Sequence, residues 1–368
     1  MPELWLRYGQ SSVVLDIKYE NLKAHLFPNT AVSHSTNQRL KDEMFNIDIN
    51  DDTIIVVLSI SQASINLIEQ IAEQAILKKH SHMAFASRTD SAYLLKNSLR
   101  RQGFPVYSVT DTSIFPLLSK FKNVIFVSQV KYDPLFGYSG TPSMLLRRFL
   151  PKEMSEAFYS RLNNLPNPHK RLSPLEVALR SVENLTAFSI EIVGSPDVLS
   201  LHYGAISHSF ESAISSLDGL SKKVDLEKCH TTLISPSDDL ESHLTLSSSL
   251  NSLWNVIDLV KNGGLAVLLS ENSMGLGGKA LEMYVEERLD IQKHLEEKLQ
   301  YLEGLEHILY LKELLKNYEL GIISTLPEYY LLKLGLIPFR ATKEYYQQTL
   351  SRFGRSQKIL VISGADIL

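Results

Sequence analysis

The stretch Leu265-Ala266-Val267-Leu268-Leu269-Ser270 has the composition of a strand that is buried on both faces. Asn262-Gly263-Gly264 precedes it and predicts the end of a helix, and Met274 to Gly278 turns the chain into a long helix predicted over Lys279–Tyr301. A buried strand, a glycine turn and a helix form half of a βα unit, which predicts a parallel sheet. Gly277 and Gly278 permit close approach, so the turn either only connects the two elements or also contacts an anionic ligand.

The same alternation of strand and helix recurs along the chain. Thr53–Leu58 is a β-branched run, and Ala63–Leu77 follows it with helical periodicity. The fold class predicted is therefore α/β, with parallel or mixed sheets. Because domains commonly have about 100–200 residues, 368 residues predict two domains. We place them at 1–224 and 225–368, on either side of a polar stretch near Asp218–Lys223.

Other elements follow from the same patterns. The opening residues predict a β-hairpin, the polar residues 24–52 predict no regular element, and two further single helices are predicted over Ser143–Arg161 and Leu244–Lys261.

Composition narrows the partners and the compartment. With 37 basic and 41 acidic residues the net charge is −4, which supplies no general attraction to nucleic acid or anionic membranes. Cys229 is the single cysteine, so neither an intramolecular disulfide nor a thiolate metal cluster can form. The start of the chain is not a signal peptide and no apolar run reaches 18 residues, which predicts a cytoplasmic protein. Nothing in the sequence indicates the oligomeric state.

Several segments are candidates for chemistry. The loop Pro134–Pro142 follows a strand, where ligands bind in α/β sheets, and it serves either a ligand or the structure alone. Arg147 and Arg148 on the next helix either reach a carboxylate or phosphate or form an exposed face. His80 and His82 would share a strand face, but a third ligand is lacking at a recognisable spacing, which favours ordinary surface histidines over a metal site. Asp238 to Glu241 favours helix capping over a carboxylate pair for acid–base work.

Two of these motifs carry a resemblance to a known family. Gly137-Tyr138-Ser139-Gly140 looks like the Gly-Phe-Ser-Gly-Gly of the lactate racemase family, and Gly277-Gly278 looks like its Gly-His-Gly-Gly turn. The order of elements is similar over nearly the whole chain. The resemblance implies two α/β domains with a site in the cleft between them. It also implies a nickel pincer made from nicotinic acid, tethered to a lysine, held by a histidine and served by two catalytic histidines.

The family's functional residues are replaced at the matching positions. The phosphate-binding Ser-Asp-His-Thr-Arg-Pro falls at Ile60–Ile65, where Ser61 and Gln62 stand, and a catalytic histidine falls near Ser87 and Arg88. The tethering lysine falls near Ser143, and the nickel-ligating histidine falls at Asp133. The second catalytic histidine falls near Tyr159, and the substrate-binding lysine falls near Ser249. No lysine stands between Lys131 and Lys152 to replace the tether.

The resemblance and these replacements together imply a divergent lactate racemase-like protein without nickel-pincer chemistry and without a cofactor or protein-bound metal. Such a protein binds a small carboxylate or acts as a non-catalytic interaction protein. The alternatives are an active 2-hydroxyacid racemase or epimerase that anchors the nickel-pincer nucleotide differently, or an unrelated enzyme on the same scaffold. Whether the protein is an enzyme stays open. The residues with potential catalytic roles are Arg88, Asp133 and Tyr138, and those expected at a ligand cleft are Ser61, Gln62, Ser139, Gly140, Ser143, Ser249, Gly277 and Gly278.

Overall fold

The structure is a computed structural model that describes residues 3–27, 47, 49–80, 82–89, 91–194, 197–220, 227–237 and 240–367. Its strands, in chain order, are β1 Glu3–Tyr8, β2 Ser11–Asp16, β3 Leu22–Leu26, β4 Thr53–Val57, β5 Met83–Arg88, β6 Val106–Val109, β7 Asn123–Asp133, β8 Gly137–Ser139, β9 Phe188–Val193, β10 Ser200–Ala205, β11 Cys229–Ser235, β12 Val260–Leu269, β13 Glu319–Ile323, β14 Ile337–Phe339 and β15 Ile359–Ser363.

The α-helices are α1 Gln62–Leu77, α2 Ala92–Ser98, α3 Ile114–Leu118, α4 Thr141–Phe149, α5 Pro151–Tyr159, α6 Ser173–Val182, α7 Ile206–Leu220, α8 Leu240–Leu244, α9 Leu246–Val256, α10 Lys279–Val285, α11 Ile291–Glu296, α12 Leu305–Leu314, α13 Glu328–Lys333 and α14 Thr342–Phe353. Short 3₁₀ turns lie at Tyr19–Asn21, Leu99–Arg101 and Ile257–Leu259. Among the described residues, no helix is long and apolar enough to cross a membrane.

The first large sheet has the order β10-β9-β7-β4-β5-β6. Strands β9, β7, β4, β5 and β6 run parallel, and β10 and the short β8 are antiparallel to their neighbours. Ile55 and Val57 of β4 pack with α1 on one face, while Ile54 and Val56 pack with α4 on the other. Helices therefore cover both faces, which explains why β4 reads as a continuous apolar run.

The second sheet is parallel throughout the described residues, in the order β14-β13-β12-β11-β15-β3. Leu265, Val267 and Leu269 of β12 face the core that contains the β1–β2 hairpin and α14. Ala266 and Leu268 face the core that contains α9 and α12. The predicted α/β class, with one mixed and one parallel sheet, is confirmed.

Strand β3 lies in the second sheet, where it pairs with β15. The sequence assigned no regular element to residues 24–52, and β3 shows that this is wrong for residues 24–26. The division into domains 1–224 and 225–368 stays a prediction, although the opening residues contact the second half. Their partners are Arg355 and Gln357, whose carbonyls accept hydrogen bonds from the Asn21 side chain, and Tyr346, whose hydroxyl donates to it. The predicted boundary near residue 224 lies outside the described residues.

Three of the predicted helices are shorter or divided. The one predicted over Ser143–Arg161 is two helices, since Pro151 cannot continue the hydrogen bonding of α4. The one predicted over Lys279–Tyr301 is also two, because Glu287 and Lys298 adopt left-handed conformations. Asn262-Gly263-Gly264, predicted to end a helix, lies inside β12, and the preceding helix ends at Val256.

One apolar core joins the two halves. Leu135 and Phe136, which follow β7, belong to the same buried cluster as Trp254 of α9, Leu276 and Tyr310 of α12. Tyr310 also donates a hydrogen bond to the carbonyl of Pro134 at 3.2 Å. The Pro134–Pro142 and Met274–Gly278 loops therefore contribute to a shared core between the halves.

Candidate functional site

A cavity of about 310 Å³ lies between the halves, at the carboxyl ends of β5 and β6. This is the edge at which parallel α/β sheets bind ligands. The first half contributes the ends of both strands and the helices α4 and α5, and the second half contributes the loop before α12. The lining residues are Arg88, Thr89, Val109, Thr110, Asp111, Arg147, Arg148, Phe149, Pro151, Met154, Tyr301 and Glu303.

Ion pairs cross this cavity or flank it. Arg88, at the end of β5, has a guanidinium nitrogen 3.5 Å from the Glu303 carboxylate of the other half. Arg148 of α4 lies 3.5 Å from Glu241, which the sequence had favoured for helix capping. Both distances are longer than the 2.7–2.9 Å of a strong charge-assisted hydrogen bond. A ligand carboxylate can therefore compete for either arginine.

Arg147 is committed to a buried ion cluster that links the halves. Its guanidinium donates to Glu306 at 2.7 Å and to the two oxygens of Asp133 at 3.1 and 3.3 Å. Tyr301 donates its hydroxyl to Glu306 at 2.7 Å. Burial alone lowers the pKa of Arg147, but the Asp133 and Glu306 carboxylates outweigh it and hold that pKa above its ordinary value. Burial alone raises the pKa of Glu306, and Arg147 reverses that shift to below the ordinary value.

Asp133, expected as a catalytic candidate, is therefore part of the fold's interior. One of its oxygens also accepts the backbone N–H groups of Leu135 and Phe136 at 2.8 Å each. With Arg147 on the same carboxylate, the side chain orders the turn after β7.

At the turn that begins α1, serine hydroxyl groups accept backbone N–H groups of the same turn. Ser61 is buried and caps α1, accepting the N–H of Ser64 at 3.1 Å, and the Ser64 hydroxyl accepts the N–H of Ser61 at 2.8 Å. Gln62 is exposed and donates to Asn66 at 2.8 Å. The N–H groups of Ser61 and Ser64 at this turn are therefore satisfied within the chain.

At the turn that begins α4, a buried carboxylate accepts a backbone N–H group. The Thr141 N–H, at the start of α4, lies 3.2 Å from an oxygen of the buried Glu191. A Cβ on Gly140 would lie 2.4 Å from the Phe210 ring and 3.2 Å from Glu191. Burial raises the pKa of Glu191, and hydrogen bonds from Ser128, Thr141 and Ser189 oppose that shift. An internal acid thus occupies the anion position of this helix.

The neighbouring candidates of the loop also have structural partners. The Ser143 hydroxyl accepts the Gly140 N–H at 3.1 Å and donates to the Gly140 carbonyl at 3.2 Å. Ser139 donates to the Lys131 carbonyl at 3.4 Å. Tyr138 donates to Asp218 at 3.1 Å, and burial together with that carboxylate raises the pKa of Tyr138 to about 12. Tyr138 lies in a core with Phe210 and Leu217, away from the cavity lining.

The remaining positions matched to the family are likewise engaged. The Ser249 hydroxyl donates to the Asn272 side chain at 3.0 Å and is fully buried. Tyr159 donates to the carbonyl of Leu299 at 2.7 Å. A Cβ on Gly277 would lie 2.2 Å from Thr245, and one on Gly278 would lie 2.8 Å from the Glu303 carbonyl, which also accepts the Ala280 N–H at 3.0 Å. The glycines therefore permit close packing at the start of α10.

These residues do not fit a tethered nickel pincer. Ser143 stands at the tether position with both hydrogen-bonding capacities used, and Asp133 at the ligand position is held by Arg147. Lys131 pairs with Asp366 at 2.9 Å. In the part of the chain that the structure describes, no group of three or more His, Cys, Asp and Glu side chains is placed to hold a metal ion. Asp238 and Asp239 lie outside the described residues.

Of the residues expected to be catalytic or to lie at a ligand cleft, Arg88 alone lines the described part of this cavity. The sequence left open whether Arg147 and Arg148 reach a carboxylate or phosphate or form an exposed face, and both meet a carboxylate of the chain itself. Glu303 and Glu306 were missed because their partners lie 215 and 159 residues away along the chain. Gly304 lies between these two acids and is a local signal there, because glycine favours the end of a helix.

The comparisons with known proteins bear on the fold. No protein-family model matches the chain, and no curated protein matches its sequence. Among solved structures, the lactate racemase apoprotein from Thermoanaerobacterium thermosaccharolyticum is similar with a TM-score of 0.74 and 13% identity, over 100% of this chain and 99% of that one. A protein from Thermotoga maritima is similar with a TM-score of 0.58 and 9% identity, over 93% and 99%.

The chain thus has an α/β fold with two large sheets and an arginine-lined cavity between its halves. More particularly, the fold is lactate racemase-like. At these identities the likeness concerns the fold alone.

Proposed function

We propose that this protein is a non-catalytic member of the lactate racemase-like fold that binds a small carboxylate in the cavity between its halves. The observation that carries the proposal is the pair of arginines at the cavity that lie outside the buried Arg147 cluster. Arg88 and Arg148 both line the cavity, and each lies 3.5 Å from an acid, Glu303 and Glu241 respectively. A guanidinium matches the planar geometry of a carboxylate.

The contacts made by the residues at the positions of the family's functional groups support the lack of catalysis. Racemisation by hydride transfer needs a hydride acceptor and a base within about 2.6–3.2 Å of the substrate hydroxyl. Ser143, Tyr159 and Ser249 hold backbone or side-chain partners of the fold instead. Losing a general base commonly lowers a rate by about 10²–10⁴, and losing the acceptor removes the route itself.

Calorimetric titration with D- and L-lactate tests the binding. We expect saturable binding, and we expect Arg88→Met and Arg148→Met each to weaken it by about 10- to 150-fold, the range of one charge-assisted hydrogen bond. Arg340→Met is the matched control, because Arg340 is exposed and pairs with Glu328 away from the cavity. Equal affinities in all three variants would refute the site.

Chiral chromatography of either lactate enantiomer tests the lack of catalysis. We expect no interconversion above background, with nickel and the pincer nucleotide supplied, and an intact mass equal to the sequence mass. Racemisation that disappears in Arg88→Met would replace this proposal with an active 2-hydroxyacid racemase.

A further inference from the structure

A second cavity, of about 450 Å³, opens at the opposite edge of the first sheet. It lies at the amino ends of β5 and β6, so the length of these strands separates it from the arginine-lined cavity. Its lining includes Lys79, His80, His82, Phe104, Tyr107 and Phe121. Its volume falls within the roughly 300–1,000 Å³ of small-molecule sites.

Aromatic rings form much of this lining. The His82 ring stacks on Phe121 with centroids 5.1 Å apart and planes 17° apart. Phe104 meets Phe85 edge to face at 5.8 Å. Tyr107 stands on β6, at the edge of the sheet, and is 41% exposed. Exposed rings around a cavity offer stacking faces to a planar ligand.

Positive charge lies at the same place. Lys79 lines the cavity and is exposed, and the exposed Lys120 and Lys122 flank Phe121 in the chain. The Asp52 carboxylate is engaged by the His82 ring at 2.7 Å and by Lys122 at 3.7 Å. An anionic group on the ligand would therefore meet lysine at the rim of an aromatic pocket.

Two buried polar atoms of the lining have no partner among the residues that the structure describes. They are His80 Nε2 and Gln102 Oε1, and both residues border the cavity. A buried polar atom without a partner destabilises the folded protein. A ligand that carries both a donor and an acceptor is the available source of partners.

We propose that this cavity binds a purine nucleoside monophosphate, with the base stacked among Phe104, Tyr107 and Phe121 and the phosphate at Lys79. A purine is planar and carries donors and acceptors on its edge, which matches the rings and the two polar groups. The phosphate matches the lysine. The site is independent of the carboxylate cavity.

Titration of the intact protein with AMP, adenosine and ribose 5-phosphate tests this assignment. We expect one AMP per chain, weaker binding of adenosine and the weakest binding of ribose 5-phosphate. In saturation-transfer NMR on the wild-type protein, the base protons H2 and H8 should receive more saturation than the ribose protons. Absence of saturable AMP binding at millimolar concentration would overturn the proposal. A single-stranded oligonucleotide that binds where AMP does not would overturn it in favour of a nucleic-acid surface.

Matched variants locate the site. Stacking on an aromatic side chain contributes about 1–3 kcal/mol per base, so Tyr107→Ala should weaken AMP binding by about 5- to 150-fold. Tyr93→Ala is the control, because Tyr93 is 50% exposed and does not line the cavity. Lys79→Asn should reduce AMP affinity to that of adenosine, and asparagine accepts the left-handed conformation of this residue. Lys78→Asn is its control. Equal effects within either pair would overturn the placement.

Discussion

Replacing Arg147 by methionine removes the cation that two buried carboxylates share. Asp133 and Glu306 are 5% and 1% exposed, so neither gains water when the guanidinium leaves. Asp133 keeps its two backbone donors and Glu306 keeps the Tyr301 hydroxyl. Breaking a buried ion pair from one side costs about 3–5 kcal/mol. We expect Arg147→Met to lower the free energy of unfolding by that amount, which is a factor of about 10²–10⁴ in the equilibrium constant at 1.4 kcal/mol per decade.

Urea denaturation followed by tryptophan fluorescence measures this loss. Trp254 is buried in the core between the halves and donates to His307, next to Glu306, whereas Trp5 is largely exposed. A Trp5→Phe background therefore leaves a reporter beside the cluster. The control is Arg340→Met, whose exposed ion pair contributes at most about 1 kcal/mol.

Two further measurements separate the charge from the packing. Adding Asp133→Asn and Glu306→Gln to Arg147→Met should restore most of the lost stability, since replacing a whole buried ion cluster by neutral groups is often nearly neutral. In Arg147→Met, burial of Glu306 is no longer opposed by the guanidinium, so we expect the pKa of that carboxyl to rise above its ordinary value. The penalty is present when Glu306 is ionised and shrinks as the pH falls through that raised pKa. An Arg147→Met loss that equals that of Arg340→Met would refute the reasoning.

Two other predictions concern single positions. Burial raises the pKa of Asp366, but Lys131 and Ser237 outweigh burial and hold that pKa at about 2. The ionised carboxylate therefore stabilises the fold above pH about 4, and this stabilisation is lost as the pH falls toward 2. At about 1.4 kcal/mol per unit, Asp366→Asn should cost about 2 kcal/mol at pH 7 in urea denaturation, and the difference from wild type should close below pH 4. Gly137→Ala should lower the melting temperature several times more than Gly103→Ala. Both glycines have a positive φ, which costs about 1–2 kcal/mol for alanine. Of the two positions, only Gly137 would place the new Cβ against another group, the Lys170 carbonyl at 1.8 Å. Equal shifts in calorimetry would contradict the steric argument.

The sequence identified the elements whose signal is local. Thr53–Val57 and the second half of β12 are buried on both faces, so each appears as an apolar run. The helix break at Pro151 also has a local cause, although it was missed. Strand β3 carries no such signal, because its burial comes from a partner more than 300 residues away.

In the candidate site, too, the sequence predicted the features with a local signal and missed those that depend on tertiary packing. The two arginines of α4 showed that a carboxylate could be reached, but which carboxylates they meet depends on how the halves pack. The glycine-rich turns were visible as ligand-binding patterns. At the helix that follows each turn, one N–H group is satisfied from elsewhere in the chain: that of Thr141 by Glu191 and that of Ala280 by the Glu303 carbonyl. A motif specifies which groups a turn offers, whereas the tertiary fold decides what occupies them.

The pairing of β3 with β15 has a consequence for synthesis on the ribosome. The first sheet is built from strands within residues 53–205, so it can form while the chain is still emerging. The hairpin and β3 emerge earlier still, yet β15, the neighbour of β3 in the second sheet, ends at Ser363. At about 5–20 residues per second, an exposed β3 edge waits roughly 20–70 s for its partner strand. We expect the nascent chain to need protection of its opening residues by a chaperone, and a circular permutant that places residues 3–27 after Ser363 to escape that delay.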